Sequence, residues 1–459
     1  MVGDLIRALM DDLRSVYGGR SWILAWDVLA ASTPFVNQLL GMGATRVFAL
    51  AGSEGTGPTP NVPSFLLGVG GVSVMEAIRV AEAAMAKLPD AAQTAVEAFD
   101  PERTACVLRP MFGALDFVAG RPVFGARPLA WRALEDKTQI DALWDHCGVL
   151  RAPCQVVEAS AAALSAAAQA LDRGAGTVWA ADNRFGFHGG AELTRWVVDQ
   201  REAEQATTMM AASAHNVRVM PMLEGRPCSI HGWVVNGEVL VFRPVEMVVL
   251  RKGRRFVYAG CASYWDPASN IRAEMRRVAR RVGHYLGDSV GYRGAFTVDG
   301  VVSAAGFLPT ELNPRFGAGL MVLGLRVQLP LYLLHCATIE GAAPMRFAQS
   351  ERQLLRRFER ARASSCHLAV QLPVSQERAL AVRFKVGADG CDAIPCSPPD
   401  AEGGLVLGPG PLGGVVRVVL DPTRTPIGLS VASRVAAALS LASVAFGTDT
   451  AELVAAPEA

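Results

Sequence analysis

The chain has 459 residues, of which 51% are hydrophobic, and 44 basic residues against 43 acidic ones leave a net charge of +1. That length has room for two or three domains with substantial cores, and that hydrophobicity excludes disorder as the default state. The charge balance argues against a nucleic-acid binder working through a broad basic field, but leaves room for a local anion pocket.

Nine cysteines occur without a CxxC pair, and the closest spacing, Cys391 to Cys396, fits neither a zinc clip nor a redox motif. Reduced thiols in a cytoplasmic protein are the expectation. No run of about eighteen apolar residues is free of charges and breakers, so no membrane span is expected.

In chain order, residues 1–19 read as a short amphipathic helix whose acidic residues disfavour a signal peptide. SWILAWD (21–27) reads as a buried strand, 35–40 as helix and RVFALAG (46–52) as a second strand. A loop, GSEGTGPTP, leads to a helix over 74–87. The loop lacks both GxGxxG and the Lys-Ser/Thr of a phosphate loop, so a plain connection is expected. CVLRPMF (106–112) and RPVFGAR (121–127) read as further strands, and LEDKTQIDALWDHCGV (134–149) as a helix. This alternation suggests an open α/β sheet.

From 217 to 311 the pattern turns strand-rich, with a hairpin at Asn236-Gly237 and one helix from 270 to about 286. Arg243 and Glu246, on the hairpin, are candidates for a substrate pocket or for surface pairing. A charged helix is expected over 351–363, and after a GPGPLGG loop an Ala/Val-rich one over 431–444.

The segment with chemical content is YRGAFTVDGVVSAAGFLPTELNPRFGAGL (292–320). GAFTVDG and FLPTELNP read as antiparallel strands. Glu311, Asn313 and Arg315 alternate, so they share a face, and Asp299 on the partner strand can meet them. Two carboxylates and an amide oxygen suit Mg²⁺ (or Mn²⁺), which favours oxygen donors and substrate phosphates. Arg315 could steady a phosphoryl group through its planar fork. Gly317 and Gly319 would let the backbone approach a ligand. The histidines show no HxxxH spacing, there is no G-x-S-x-G, and the adjacent pair Cys366-His367 is poor geometry for a dyad.

The 292–320 segment resembles the catalytic part of the ATP-grasp superfamily, where Y-R-G opens a strand whose acidic residue precedes the E-x-N-x-R glutamate by a similar interval. Upstream, ARPLAWRALEDK (126–137) resembles the entry to that fold, where a D-K pair opens a helix, and VMPMLEGRPCSIHGWV (219–234) resembles its hinge. The resemblance implies an ATP-grasp fold (α/β, α+β) with a Rossmann-like pre-grasp domain over 1–125. The ATP-grasp domain would span 126–348, its N-terminal lobe reaching about 215, and a small α+β region would follow over 349–459.

It further implies that Lys137 reaches the ATP phosphates, that Met220, Met222 and Leu223 hold adenine, that Glu224 is a weak candidate for ribose, and that Arg293 and Arg315 are catalytic. Asp299, Glu311 and Asn313 would be the metal ligands. One departure stands out: Ala180 and Ala181 lie where a second phosphate-binding lysine is usual, with Asn183 or Arg184 as possible replacements before the FGFHGG loop and its His188.

The phrasing PCSIHG…FRPVEM…YAGCASYWDP is similar to peptide ligases related to the pheganomycin enzyme. This implies an ADP-forming carboxylate–amine ligase of natural-product (antibiotic) biosynthesis that works through an acyl phosphate. Its partners would be a carboxylic acid and an amine or peptide, with no nucleic acid or membrane, and a homodimer is compatible with it. The rivals are another ligase of the same fold (acid–thiol or carboxylase-like) and a nucleotide-binding scaffold without turnover. No biotin-type lysine flanked by methionines is present.

Overall fold

The computed structural model describes the whole chain except residues 1, 56, 72, 185, 187, 373, 375–379, 388–389, 391, 411–412 and 457–459. Parts of the three glycine-rich loops singled out above, and Cys391, therefore lie outside the described residues.

The first 108 residues build a parallel sheet in the order Ser64–Leu66, Arg46–Ser53, Ser21–Val28, Cys106–Leu108. Residues 22–26 are all buried, as a parallel strand covered on both faces requires. Trp22, Leu24 and Trp26 pack towards the helices Val2–Tyr17 and Leu29–Gly41, while Ile23 and Ala25 pack with Met85 and Val96 on the other side. The strands expected over 106–112 and 121–127 are much shorter, Cys106–Leu108 and Arg121–Pro122. Pro110 and Pro122 have no N–H to extend a ladder.

A second sheet is antiparallel, in the order Gln155–Glu158, Asn216–Pro221, Thr177–Ala181, Thr194–Val197. Trp179, Ala181, Val217 and Val219 form its core with Leu164 and Met210 of the helices Ala161–Leu171 and Gln200–Ser213. Ser160 and Asp199 cap those helices through backbone N–H groups at Ala163 and Glu202. By strand alternation the opposite face carries Val178, Ala180, Arg218 and Met220, with Ala180 directly across from Arg218.

The largest sheet is antiparallel with twelve strands. Gly306–Asn313 lies at one edge, followed by Gly294–Ser303, Arg226–Val235, Val245–Lys252 and Arg255–Ala262. The sheet then runs on without a break through Ser364–Val370 into the C-terminal strands. Asn236 (φ 52°) and Gly237 (φ 79°) make the expected two-residue turn, with Val235 opposite Glu238. On one face, Cys228, Ile230, Val234, Phe296 and Val298 pack against Met275, Val278, Ala279, Val282 and Leu286 of the helix Ser269–Val290. The other face carries Ser229, His231, Thr297 and Asp299.

Arg243 and Glu246 belong to neither a pocket nor the surface, because both are buried. Arg243 donates to Asp266 and to the Trp265 carbonyl, whereas Glu246 accepts from Ser430 and from the Val431 N–H at the start of the last helix, Ala432–Phe446. Burial raises the Glu246 carboxyl above its usual range even though those donors oppose the shift. This is a charged link between the large sheet and the C-terminal helix.

Candidate active site

Asp299 and Glu311 stand directly opposite one another on adjacent strands, and Asn313 stands opposite Thr297. The register shifts just beyond Asp299, where Gly300 pairs with Pro309, so Thr310 is an extra residue in the edge strand. That bulge aims Glu311 at Asp299 while the rest of the hairpin keeps its pairing. Asn313 Nδ2 donates to Asp299 Oδ2 at 2.8 Å, and the Ser229 hydroxyl donates to Asp299 Oδ1. Arg315 in turn donates from Nη2 to Asn313 Oδ1 at 2.8 Å.

Two carboxylates pressed together repel. Burial, and then the charge of Glu311, push the Asp299 carboxyl up to about 7. A divalent cation between them would relieve that repulsion, so this donor set fits magnesium. Among the described residues no group of three His, Cys, Asp or Glu side chains is placed to hold a metal. Asp299 and Glu311 would therefore supply the carboxylates, and Asn313 Oδ1, which accepts one N–H from Arg315, keeps a second lone pair that could join them.

Lys137 Nζ lies 3.1 Å from Glu311 Oε1, which brings the upstream D-K pair to the E-x-N-x-R strand across a long stretch of sequence. The segment does not form the expected helix over 134–149. It forms a short 3₁₀ turn, Ala133–Glu135, and a helix only from Ile140 to His146. Between them Asp136 accepts from the Thr138 N–H (2.8 Å) and hydroxyl (2.6 Å), local bonds that compete with helix formation. Lys137 is thus presented from a turn. Glu135, just before it, is buried and sits between Arg127 and Arg315, with Arg315 Nε 3.5 Å away. Despite full burial, which raises it, the two guanidiniums hold the Glu135 carboxyl below its usual range. The Arg315 guanidinium also lies over the Phe112 ring, 4.6 Å from its centroid.

The second sheet meets this group from the other side. The Asn183 N–H donates to Asp136 Oδ2 at 3.3 Å, so Asn183 is beside Lys137. His188 is buried with Nε2 3.0 Å from the Asp182 carbonyl oxygen, and burial and then Lys137 lower its pKa. Its neighbours Phe185 and Phe187 in the FGFHGG loop are outside the described residues. Arg184 Nη1 is 2.7 Å from His215 Nδ1.

Ala180 faces away from the helices and Ala181 is part of their core, so Ala180 alone has the orientation of a residue that could contact a ligand. Arg218, across from it, is buried and gripped by Asp141 through two 2.7 Å bonds. Asp141 belongs to the Ile140–His146 helix, which is rooted in the core of the large sheet, so this pair ties the second sheet to the large one.

In the segment expected to be the hinge, Met220 is buried and its sulfur accepts from Arg218 Nη1 at 3.2 Å. Met222 and Leu223 are half-buried and Glu224 is exposed. The Met222 N–H is occupied by the Gly176 carbonyl (2.9 Å), and among the described residues no backbone partner stands against the N–H of Leu223 or Glu224. Arg293 is not brought to this group. It is exposed and lines a hollow with Asn236, Asp288 and Gly341. Six residues of extended strand separate it from Asp299, about 20 Å at strand rise.

Gly317 and Gly319 serve a different purpose from the expected one. A Cβ at Gly319 would lie 2.1 Å from His231 Nε2, and one at Gly317 2.5 Å from Thr297 Oγ1. These glycines let the chain after Arg315 close onto the sheet. His231 is fully buried, bonded through Nδ1 to Thr297 Oγ1 at 3.0 Å, and burial pushes its pKa down to about 3, so it is neutral.

Sequence reasoning missed Ser229, Glu135, Arg127 and Phe112. Ser229 had a usable signal, since it alternates with His231 on a strand that would pair with the acidic one. Phe112 had none, because only the fold brings it to Arg315.

No protein-family model matches the sequence, and no curated protein matches it. Solved structures do. Over 96% of this chain and 94% of the other, it superimposes on biotin carboxylase from Campylobacter jejuni in a β-γ-ATP complex, with 13% identity and a TM-score of 0.55. The carboxyaminoimidazole ribonucleotide synthase of Aspergillus clavatus, complexed with ATP, matches at 13% identity and 0.52 over 89% and 95% of the two chains. An L-amino acid ligase from Bacillus licheniformis matches at 12% identity and 0.50 over 88% and 95%. The fold of this chain is the ATP-grasp fold.

Proposed function

We propose that the chain is an ATP-dependent ligase that activates a carboxylate as an acyl phosphate and joins it to an amine. The observation that carries the reading is the pairing of Asp299 and Glu311 across adjacent strands, with Lys137 against one and Arg315 linked to the other through Asn313. Two carboxylates flanked by two cations make a site for a polyphosphate and the divalent ion that accompanies it. The coverage of an L-amino acid ligase by this fold also supports the reading.

In the proposed reaction the substrate carboxylate oxygen attacks the γ-phosphorus of ATP, and the bond to the β-bridging oxygen breaks to release ADP. The amine nitrogen then attacks the acyl carbon, inorganic phosphate leaves, and the nitrogen loses a proton. Lys137 offers charge to the transferring phosphoryl group. Arg315, aligned by Glu135 and Phe112, offers its planar fork to the same group or to the acyl phosphate. Asp299 and Glu311 would hold magnesium, which when bound spreads the phosphate charge. Asn183, Met220, Met222, Leu223 and Glu224 line the proposed nucleotide path, with Leu223 and Glu224 as the hinge donors. Water must be kept out, because acyl phosphates hydrolyse.

The acid and amine are proposed to belong to peptide natural-product assembly, on the strength of the sequence phrasing alone. The absence of a lysine at Ala180 favours a second reading, a nucleotide-binding scaffold. Product analysis separates the two. ADP and phosphate release that requires both an acid and an amine is the expected result. AMP and pyrophosphate would refute the acyl-phosphate route, and tight ATP binding without turnover across acid and amine pools would favour the scaffold.

A further inference from the structure

On the far side of the large sheet, the helix Ser269–Val290 turns a row of arginines outward. Arg272, Arg276 and Arg280 follow one another at four-residue steps, Arg277 and Arg281 run beside them, and His284 ends the row. They line an open groove of about 590 Å³. All of its lining belongs to this one helix, so it is a surface recess open to solvent.

Like charges at i and i+4 on a helix repel, yet here the protein fixes them in place. Arg276 donates to the Val241 and Phe242 carbonyls at 2.5 and 2.9 Å, Arg280 to the Val239 carbonyl at 2.6 Å, and Arg281 to the Gly148 carbonyl at 2.7 Å. Glu351 bridges Arg276 and Arg280. Arg272 and Arg277 have no ion-pair partner among the described residues, and Arg277 is exposed. Arg276, Arg280 and Arg281 are thus fixed by their bonds, with Glu351 and Glu359 as counter-charge near Arg276, and beside them Arg272 and Arg277 offer forks that match an anion with several oxygens in a line. Successive arginines one turn apart are about 5–6 Å apart at Cβ, within reach of neighbouring phosphates on one chain. His284 also lines a second hollow of about 280 Å³, with Gly287, Asp288, Gly291 and Arg293.

We propose that this groove binds a small molecule bearing two or three linked phosphates, at a site separate from the Asp299–Glu311 pair. The two sites lie on opposite faces of the same strands: Cys228 and Ile230 contact the arginine-bearing helix, and Ser229 contacts Asp299.

Inorganic tripolyphosphate is the probe, titrated into the full chain by calorimetry in EDTA, so that no divalent ion draws it to the carboxylate pair. Saturable one-to-one binding is expected, weakening as salt is raised. The double variant Arg272→Glu/Arg277→Glu should weaken it at least about tenfold, and Lys137→Ala should leave it unchanged. Arg272→Gln/Arg277→Gln gives the same reading should the glutamates disturb folding. Unchanged affinity in both double variants, or loss of binding in Lys137→Ala, overturns the proposal. Tighter binding of a single-stranded oligonucleotide than of tripolyphosphate also overturns it, in favour of a nucleic-acid surface.

Discussion

The edge hairpin of the large sheet and the smaller antiparallel sheet meet at Lys137 and Asp136, but they carry charge in opposite ways. The hairpin crowds Asp299 against Glu311 and leaves them to share Ser229, Asn313 and Lys137. The smaller sheet carries Arg218 on the face turned away from its helices and pairs it with Asp141, and across from it stands Ala180. One surface is built to receive a cation and a polyphosphate. The other is built to be held in place. Unsatisfied charge is costly unless something binds it, so the strained surface is the functional candidate and the balanced one the structural candidate.

The comparison can be broken at the balanced pair first. Arg218→Ala leaves Asp141 buried without its main partner and should cost about 3–5 kcal/mol, read as a lowered midpoint in urea unfolding. If the loss were below about 1 kcal/mol, the pair would not be the tie described here. Glu311→Gln should do the reverse, sparing stability while cutting ADP formation roughly 10²–10³-fold, because the site loses a charge and keeps its shape. Full turnover in that variant would remove Glu311 from the metal set.

Lys137→Ala should raise the ATP dissociation constant about tenfold, as expected for losing one charge-assisted contact, with little change in melting temperature. An unaltered nucleotide affinity would take Lys137 out of the site. Gly237→Ala, at φ 79° in the hairpin turn, should have the smallest effect, about 1 kcal/mol of stability with nucleotide affinity intact. A larger loss in that variant would mean the turn supports more than its own hairpin.

Much of this site was legible before folding because β-structure has a period of two. Alternation alone put Glu311, Asn313 and Arg315 on one face and let Asp299 meet them from a neighbouring strand. Arg293 was expected from the resemblance and not from alternation, and it stands just before the far end of the strand that carries Asp299. Local apolar spacing misled at the 134–149 segment, which is helical at Ile140, Leu143 and Trp144 while Asp136 turns the chain just ahead of them. Sequence reasoning also misjudged Arg243 and Glu246, whose burial depends on partners at Asp266 and Ser430 that no local pattern discloses.

What the residues determined unaided was local: the buried parallel strands, the Asn236-Gly237 turn, and the polar face of the edge hairpin. These follow from backbone periodicity and from glycine's freedom at positive φ, which act over a few neighbours. The tertiary structure alone decided which distant groups share a charge environment. Lys137 against Glu311, Glu135 between two guanidiniums, Phe112 beneath Arg315 and Arg218 locked to Asp141 each join segments far apart in the chain. Such pairings are set by packing of whole layers, and electrostatic fit at that range leaves no period in the sequence.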